Sequence, residues 1–393
     1  MHSWCSPFHT PQPKRARPGA THSVYGLSDW QLRFLGAGEG PPSPPFWWQP
    51  ATLDLLRQQG QGLGSRPVVL QHQPSGRTVW LMLQELHFTV GEQISPTAGA
   101  KGQRLGLRHR LLAPFRSRVL CLGQLLASGA YGQLGLGDLP PPEAAHLLRA
   151  VVATLLRLNP WYRGVLLKDL MVTDSPVVGI LERQGYTKLP TDPVMELSLP
   201  FGDREAYLAA LTSKYRVRYR RARSKLGDLS RRRLGAAEVS DRLPRIYELY
   251  RVTARGAAVN FVDLQPDYFR WLAAHAVVHG YFDGLRLIGF TTGLPDGKRY
   301  LAHYLGMEER YKQSHHLYHN MLFDLLDDAL TGAYHHLDLG RTALAIKSSL
   351  GAVPHAYATL LRLPNPLLNY LVPHFVPAVF TPEPWTPRQP FRR

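Results

Sequence analysis

The chain has 393 residues, 44% of them hydrophobic, enough to bury a core and to form two packed units rather than one. Its two cysteines, Cys5 and Cys121, exclude a disulfide framework, and the absence of about 18 uninterrupted apolar residues excludes a membrane-spanning helix, so a reducing, cytoplasmic setting is expected. The formal net charge of +17 favours polyanionic partners, whether nucleic acid, phosphorylated cofactors or anionic lipid, without choosing among them.

Residues 1–60 read as a flexible segment, basic and rich in Pro and His at first, with a Pro-rich stretch at 41–50 (PPSPPFWWQP) whose aromatic cluster is exposed or docked. A first α/β unit is expected over 61–203. It opens with a hairpin, 68–70 and 78–82, around the turn Pro74-Ser75-Gly76. After a loop at 93–108, a strand at 119–126, a helix at 143–158, a strand at 164–170, a helix at 176–184 stopped by Gly185 and a strand at 194–199 give β-α-β-α-β. The longer helix rests on Leu147, Leu148, Val151, Val152, Leu155 and Leu156, one apolar face at 3.6 spacing.

A second unit, 204–363, begins with a strongly basic stretch. Between 214 and 233, Lys214, Arg216, Arg218, Arg220, Arg221, Arg223, Lys225, Arg231, Arg232 and Arg233 stand against Asp228 alone. Leu208, Leu211, Tyr215, Ala222 and Leu226 form one stripe, so a helix should dock by that face and turn its arginines outward. So much like charge exceeds what solubility needs and makes Arg216, Arg218, Arg220, Arg221 and Arg223 candidate polyanion-binding residues. A hairpin follows, 284–293 and 299–305, with its turn at Pro295-Asp296-Gly297. Then come a helix built on Leu317, Met321, Leu322, Leu325, Leu326 and Ala329, a strand at 335–339, a short helix at 343–349 stopped by Gly351, and a strand at 357–363. Residues 364–393 form a Pro-rich tail. Its apolar run 366–380 is broken by Pro373 and Pro377, so it packs on the core or touches a membrane surface rather than spanning one.

LLKDLMVTDS at 166–175 and HHLDLGRTAL at 335–344 hold the same place in the two units, which implies a diverged internal duplication. With LTSKYRVRYRRARSKLGDL (211–229), LAHYLGMEERYKQSHHLYHNML (301–322) and DLGRTALAIKSSLGA (338–352), this order resembles the tandem GNAT arrangement of the FemAB-like acyltransferases over roughly 66–363. The resemblance implies two GNAT-like halves, each a mixed central sheet flanked by helices, the second half catalytic and the first a structural partner. It implies an acyl donor and an amine acceptor, with acyl-CoA or an aminoacyl-tRNA as the donor. The phosphate-cradling glycine pattern of CoA-using GNAT enzymes is not matched by Gly306 to Lys312, and Gln133-Leu134-Gly135-Leu136-Gly137 is one residue short of it.

Acyl transfer to an amine needs a hold on the anionic donor, a route for the nucleophile's proton and a donor to the oxyanion. Gly340, Arg341, Thr342 and Lys347 follow a strand end, where a donor's phosphate would sit. Neighbours on a strand, His303 and Tyr304 should face opposite sides, with His303 the candidate base. Tyr318 could donate to an oxyanion or leaving thiolate, and Asp338 could orient the amine or pair with Arg341. His315, His319, His335 and His336 lack further ligands at metal-site spacing, so no metal is expected. A nucleic-acid-binding module or a degenerate, non-catalytic relative are the alternatives to an enzyme.

Overall fold

The computed structural model describes residues 18–58, 63–89, 116–255, 262, 264–379 and 384–392; the loop expected at 93–108 and Cys5 lie outside the described residues. In chain order the first half contributes β1 (Thr21–Val24), β2 (Leu27–Phe34), β3 (Gly64–Ser65), β4 (Val68–His72), β5 (Thr78–Leu81), β6 (Leu83–Thr89), β7 (Arg116–Leu122), β8 (Gln133–Leu134), β9 (Gly164–Val172), β10 (Thr187–Leu189) and β11 (Val194–Ser198). The second contributes β12 (Ser230–Arg233), β13 (Val277–Asp283), β14 (Arg286–Asp296), β15 (Arg299–Met307), β16 (His336–Asp338), β17 (Val353–His355) and β18 (Tyr357–Arg362).

Duplication is plain in the sheets. One central sheet has the order β10-β18-β9-β7-β6-β3 and the other β17-β11-β16-β15-β14-β13-β12. Position by position, β7 corresponds to β15 and β9 to β16, and these are the parallel pairs in each sheet. The helix Pro141–Leu158 joins β7 to β9 as the helix Leu317–Thr331 joins β15 to β16. Asp169 on β9 and Asp338 on β16 therefore sit on corresponding strands, as the repeated sequence implies.

The last strands are exchanged, however. The sequence order closes each half with its own final strand, yet β11 pairs with β16 and β17, and β18 with β9 and β10. An apolar pattern fixes which faces of a strand are buried, not which neighbour it pairs with, so this crossing is invisible to periodicity. Its effect is to lock the two halves together through backbone ladders.

Residues 18–58 are not a flexible segment. β1 and β2 join β4, β5 and β8 in a five-stranded sheet, and the Pro-rich stretch leads into a turn of 3-10 helix, Phe46–Trp48. All three of those rings are buried, because each removes a large apolar area from water. The Trp48 indole donates to the carbonyl of Tyr131 in the first half (3.0 Å), and the Phe46 amide to Asp296 in the second (2.7 Å).

Three further boundaries differ from expectation. The strand drawn over 119–126 stops at Leu122, since Gly123 has φ 143° and a Cβ there would lie 2.3 Å from the carbonyl of Lys168. The basic stretch splits into the helix Ser213–Leu226 and the edge strand β12, so Arg231, Arg232 and Arg233 belong to a sheet. The end of the chain also docks: Phe391 packs on Phe201 and Tyr207, and Thr212 donates to the carbonyl of Pro390 (2.8 Å).

Candidate active site

β15 and β16 pair only where Arg299, Tyr300 and Leu301 face His336, Leu337 and Asp338. Beyond Asp338 the chain turns away through Gly340, Thr342 and Ala343, all with positive φ, while β15 runs on to Met307. The two parallel strands thus splay apart. On its other edge β15 is bulged: Gly293 pairs with Ala302 and Thr291 with Leu305, so Thr292 alone faces His303 and Tyr304. The Thr292 hydroxyl closes the bulge, accepting from the Tyr304 amide and donating to the Tyr304 carbonyl, both at 2.8 Å.

The bulge overturns the expectation that His303 and Tyr304 face opposite sides. Both rings meet Tyr268, at centroid distances of 5.9 and 6.0 Å, and His303 also meets Trp47 at 5.4 Å. Burial among these rings pushes the His303 pKa down to about 3, so the ring is neutral and a weak base, against the expected near-neutral titration. Tyr268 is buried, which raises its phenol well above 10 and keeps its proton. Its hydroxyl lies 2.7 Å from His303 Nε2. A Tyr268 hydroxyl that donates to Nε2 leaves the His303 proton on Nδ1. Geometry and burial therefore favour a hydrogen-bond donor at His303 over a general base.

Tyr318 begins the helix Leu317–Thr331 and packs, partly buried, on the same cluster as Ala302 and Ile346. Burial raises its pKa to about 12, so it too stays a neutral O–H.

Arg341 and Lys347 do not lie on an exposed strand-end cleft. The left-handed turn after Gly340 folds Arg341 back between the halves, where its guanidinium donates to Asp169 Oδ1 and to the carbonyl of Asp192, each at 2.7 Å. Asp169 is fully buried and also accepts from Lys168 Nζ (2.8 Å), the Gly129 amide (3.1 Å) and the Thr359 hydroxyl (3.3 Å). Asp338 accepts from the Tyr131 hydroxyl (2.7 Å) and the Gly340 amide (2.8 Å) rather than pairing with Arg341. Lys347 is buried and donates to the carbonyl of Arg341; burial lowers its pKa to about 7, with Asp338 acting the other way. Only Thr342 of this group is exposed. Sequence reasoning missed Lys168 and Tyr131, although two charged residues inside the apolar strand GVLLKDLMV were a signal.

The basic helix Ser213–Leu226 lies along Leu317–Thr331, with Tyr219 edge-on to Phe323 at 4.7 Å and Asn320 donating to the carbonyl of Ala222. Tyr215, Tyr219 and Ala222 are its buried stripe. Arg223 turns inward, to Asp324 (2.6 Å) and Asp327 (3.1 Å), and so leaves the polyanion-binding group. Arg216 is half-buried and donates to the carbonyl of Leu211. Lys214, Arg218, Arg220, Arg221 and Lys225 are exposed. Burial first, then the charges of Lys225 and Arg221, lower the His316 pKa, and burial first, then His316 and Arg218, lower that of His319. All gather at the start of Leu317–Thr331, which no side chain caps. Among the described residues no group of three or more His, Cys, Asp or Glu side chains could hold a metal ion.

Arg223→Ala should cost about 1 to 3 kcal/mol of stability, because it strips an ion pair from the nearly buried Asp324. Arg221→Gln should stay within about 0.5 kcal/mol and weaken polyanion binding instead. Thermal unfolding beside heparin affinity separates the two, and equal melting losses would make both residues structural.

Residues 213–348 match a family described as an acetyltransferase (GNAT) domain. No curated protein matches the chain in sequence. Among solved structures the chain resembles FemX, with TM-score 0.52 and 10% identity over 86% of this chain and 96% of that one. It also resembles a tandem GNAT protein from the clavulanic acid biosynthesis pathway, with TM-score 0.50 and 12% identity over 86% and 99%. With its duplicated sheets, its exchanged last strands and a second half that matches the GNAT domain family, the chain has a tandem GNAT fold like those of FemX and the clavulanic acid pathway protein.

Proposed function

We propose that the chain transfers an acyl group from a phosphate-bearing donor to an amine at the opening where β15 leaves β16. The observation that carries this reading is the splayed and bulged β15, which sets a neutral, oriented His303 beside a strand edge without a ladder neighbour. The amine nitrogen attacks the acyl carbonyl carbon, the C–N bond forms, and the carbonyl oxygen takes negative charge. His303 Nδ1–H donates to that oxygen, and the neutral Tyr318 hydroxyl is placed to do so or to protonate the leaving group. Collapse breaks the bond to the donor's sulfur or ribose oxygen, and the amine's proton passes to solvent.

Arg218, Arg221, Lys225, His316 and His319 would hold the donor's phosphates at the helix start, where the dipole also favours anions. Both acyl-CoA and an aminoacyl-tRNA carry phosphates that such a cationic cluster would attract. Arg218→Gln with Arg221→Gln should raise the donor's KM about tenfold or more with kcat little changed, if each lost phosphate contact contributes about 1 kcal/mol or more. The assay is acyl transfer to an amine panel with CoA thioesters and with charged tRNA. Tight, steeply salt-dependent nucleic-acid binding with no turnover from any donor would sink the enzyme in favour of a binding module.

A further inference from the structure

The final helix, Pro366–Val379 (PLLNYLVPHFVPAV), contains no Asp, Glu, Lys or Arg. It packs beside β10 on the outside of the first half. Asn369 ties it down, accepting from the Leu363 amide and donating to the carbonyl of Gly185, each at 2.8 Å. Val372 and Val376 are buried beneath it, so 369, 372 and 376 form the inner stripe at helical spacing. The remaining surface turns Leu367, Leu368, Tyr370 and Leu371 to solvent, at 67%, 49%, 72% and 37% exposure. Such a contiguous apolar surface marks an interaction site more often than isolated exposed side chains do.

Charge decides what covers it. A helix without ionic groups offers a protein partner little polar rim to fix a register. A second copy would bring another +17 of like charge. An anionic bilayer needs no register, takes leucine and tyrosine at the boundary between headgroups and acyl chains, and attracts a cationic protein. Arg183 and Lys188, exposed on either side of Gly185, and Arg362, just before the helix, supply local cations against Glu182. The helix has 14 residues, about 21 Å at 1.5 Å each, and among the described residues no helix is long and apolar enough to cross a membrane. We infer that Pro366–Val379 docks the protein on an anionic membrane surface, lying in the interface plane with its leucines and Tyr370 inserted.

Flotation of the full chain with phosphatidylcholine vesicles, with and without phosphatidylglycerol, tests this. Leu367→Ser with Leu371→Ser keeps the net charge and alters only exposed positions, so its melting temperature should match the parent. Its affinity for phosphatidylglycerol vesicles should fall about tenfold or more. Tyr370→Trp should give a blue-shifted emission on the same vesicles and no shift on phosphatidylcholine alone. Equal binding by parent and serine variant would assign the attraction to charge alone and overturn the docking role of the helix. So would failure of the parent to bind, or self-association that the serine variant abolishes without any effect on vesicles.

Discussion

Asp169→Ala should lower the stability of the chain by about 3 to 5 kcal/mol, as removal of one partner from a buried ion pair does. The carboxylate is fully buried and answers two cations from different halves, Lys168 and Arg341. Without it both charges stay inside with no counter-charge, held only by backbone carbonyls, those of Gln124 and Ala127 for Lys168 and that of Asp192 for Arg341. Asp169→Asn should cost nearly as much: the amide keeps a single acceptor oxygen where Gly129 and Thr359 now use one carboxylate oxygen each, and it cannot neutralise either cation. Arg341→Ala should destabilise by a similar amount. pH gives a second reading. Burial tends to raise the Asp169 pKa, and Lys168 and Arg341 overcome it and hold the carboxyl down to about 2. A depressed folded pKa contributes stability above the unfolded value of about 3.9, and that stability is lost as pH falls from about 4 towards 2. The variants should therefore lose the share of the acid sensitivity that Asp169 contributes in this window, and show a shallower fall in melting temperature there than the parent. Unchanged melting together with weakened donor binding in Arg341→Ala would return that arginine to a donor-binding surface.

The two-unit plan was legible in the sequence because it rests on periodicity and order: Leu147 to Leu156 on one helix, Leu317 to Ala329 on its counterpart, and an aspartate near the end of each following strand. What depended on tertiary pairing was not. Trp47 and Trp48 sit in a Pro-rich run whose composition reads as loop, and only the two halves closing on them make them core. Arg341 follows a strand end, where charge usually meets solvent, but three left-handed residues reverse the chain and bury it. No pattern of residues announced the bulge at His303, because the side chain that stabilises it, Thr292, lies on the neighbouring strand. The charge run at 214–233 reads as one helix face, but the helix ends at Leu226, Arg231 to Arg233 lie on an edge strand, and facing aspartates on Leu317–Thr331 decide which arginines remain available.

The largest effect on turnover is expected at His303, and a two-variant comparison separates its chemistry from its packing. His303→Ala should cut kcat about 100- to 1000-fold, the range for loss of one preorganised oxyanion donor, with the donor's KM nearly constant because the cationic rim is untouched. The half-buried ring packs against Trp47 and Tyr268, so alanine also leaves a void and some stability should go with it. Tyr268→Phe avoids that confusion. It keeps the ring packed against Trp271 and removes the hydroxyl that holds Nε2, so the imidazole can rotate or change tautomer. If His303 acts as an N–H donor, kcat should fall about tenfold or more while the fold melts near the parent temperature. The pH profile of kcat/KM in the parent should then show no ascending limb from His303 between pH 5 and 8, because burial holds that ring neutral throughout. A parent profile rising through a pKa near 6.5 and lost in His303→Ala would show instead that the imidazole titrates and serves as the base. Full activity in both variants would move the reaction away from the bulge and leave His303 as packing between the halves.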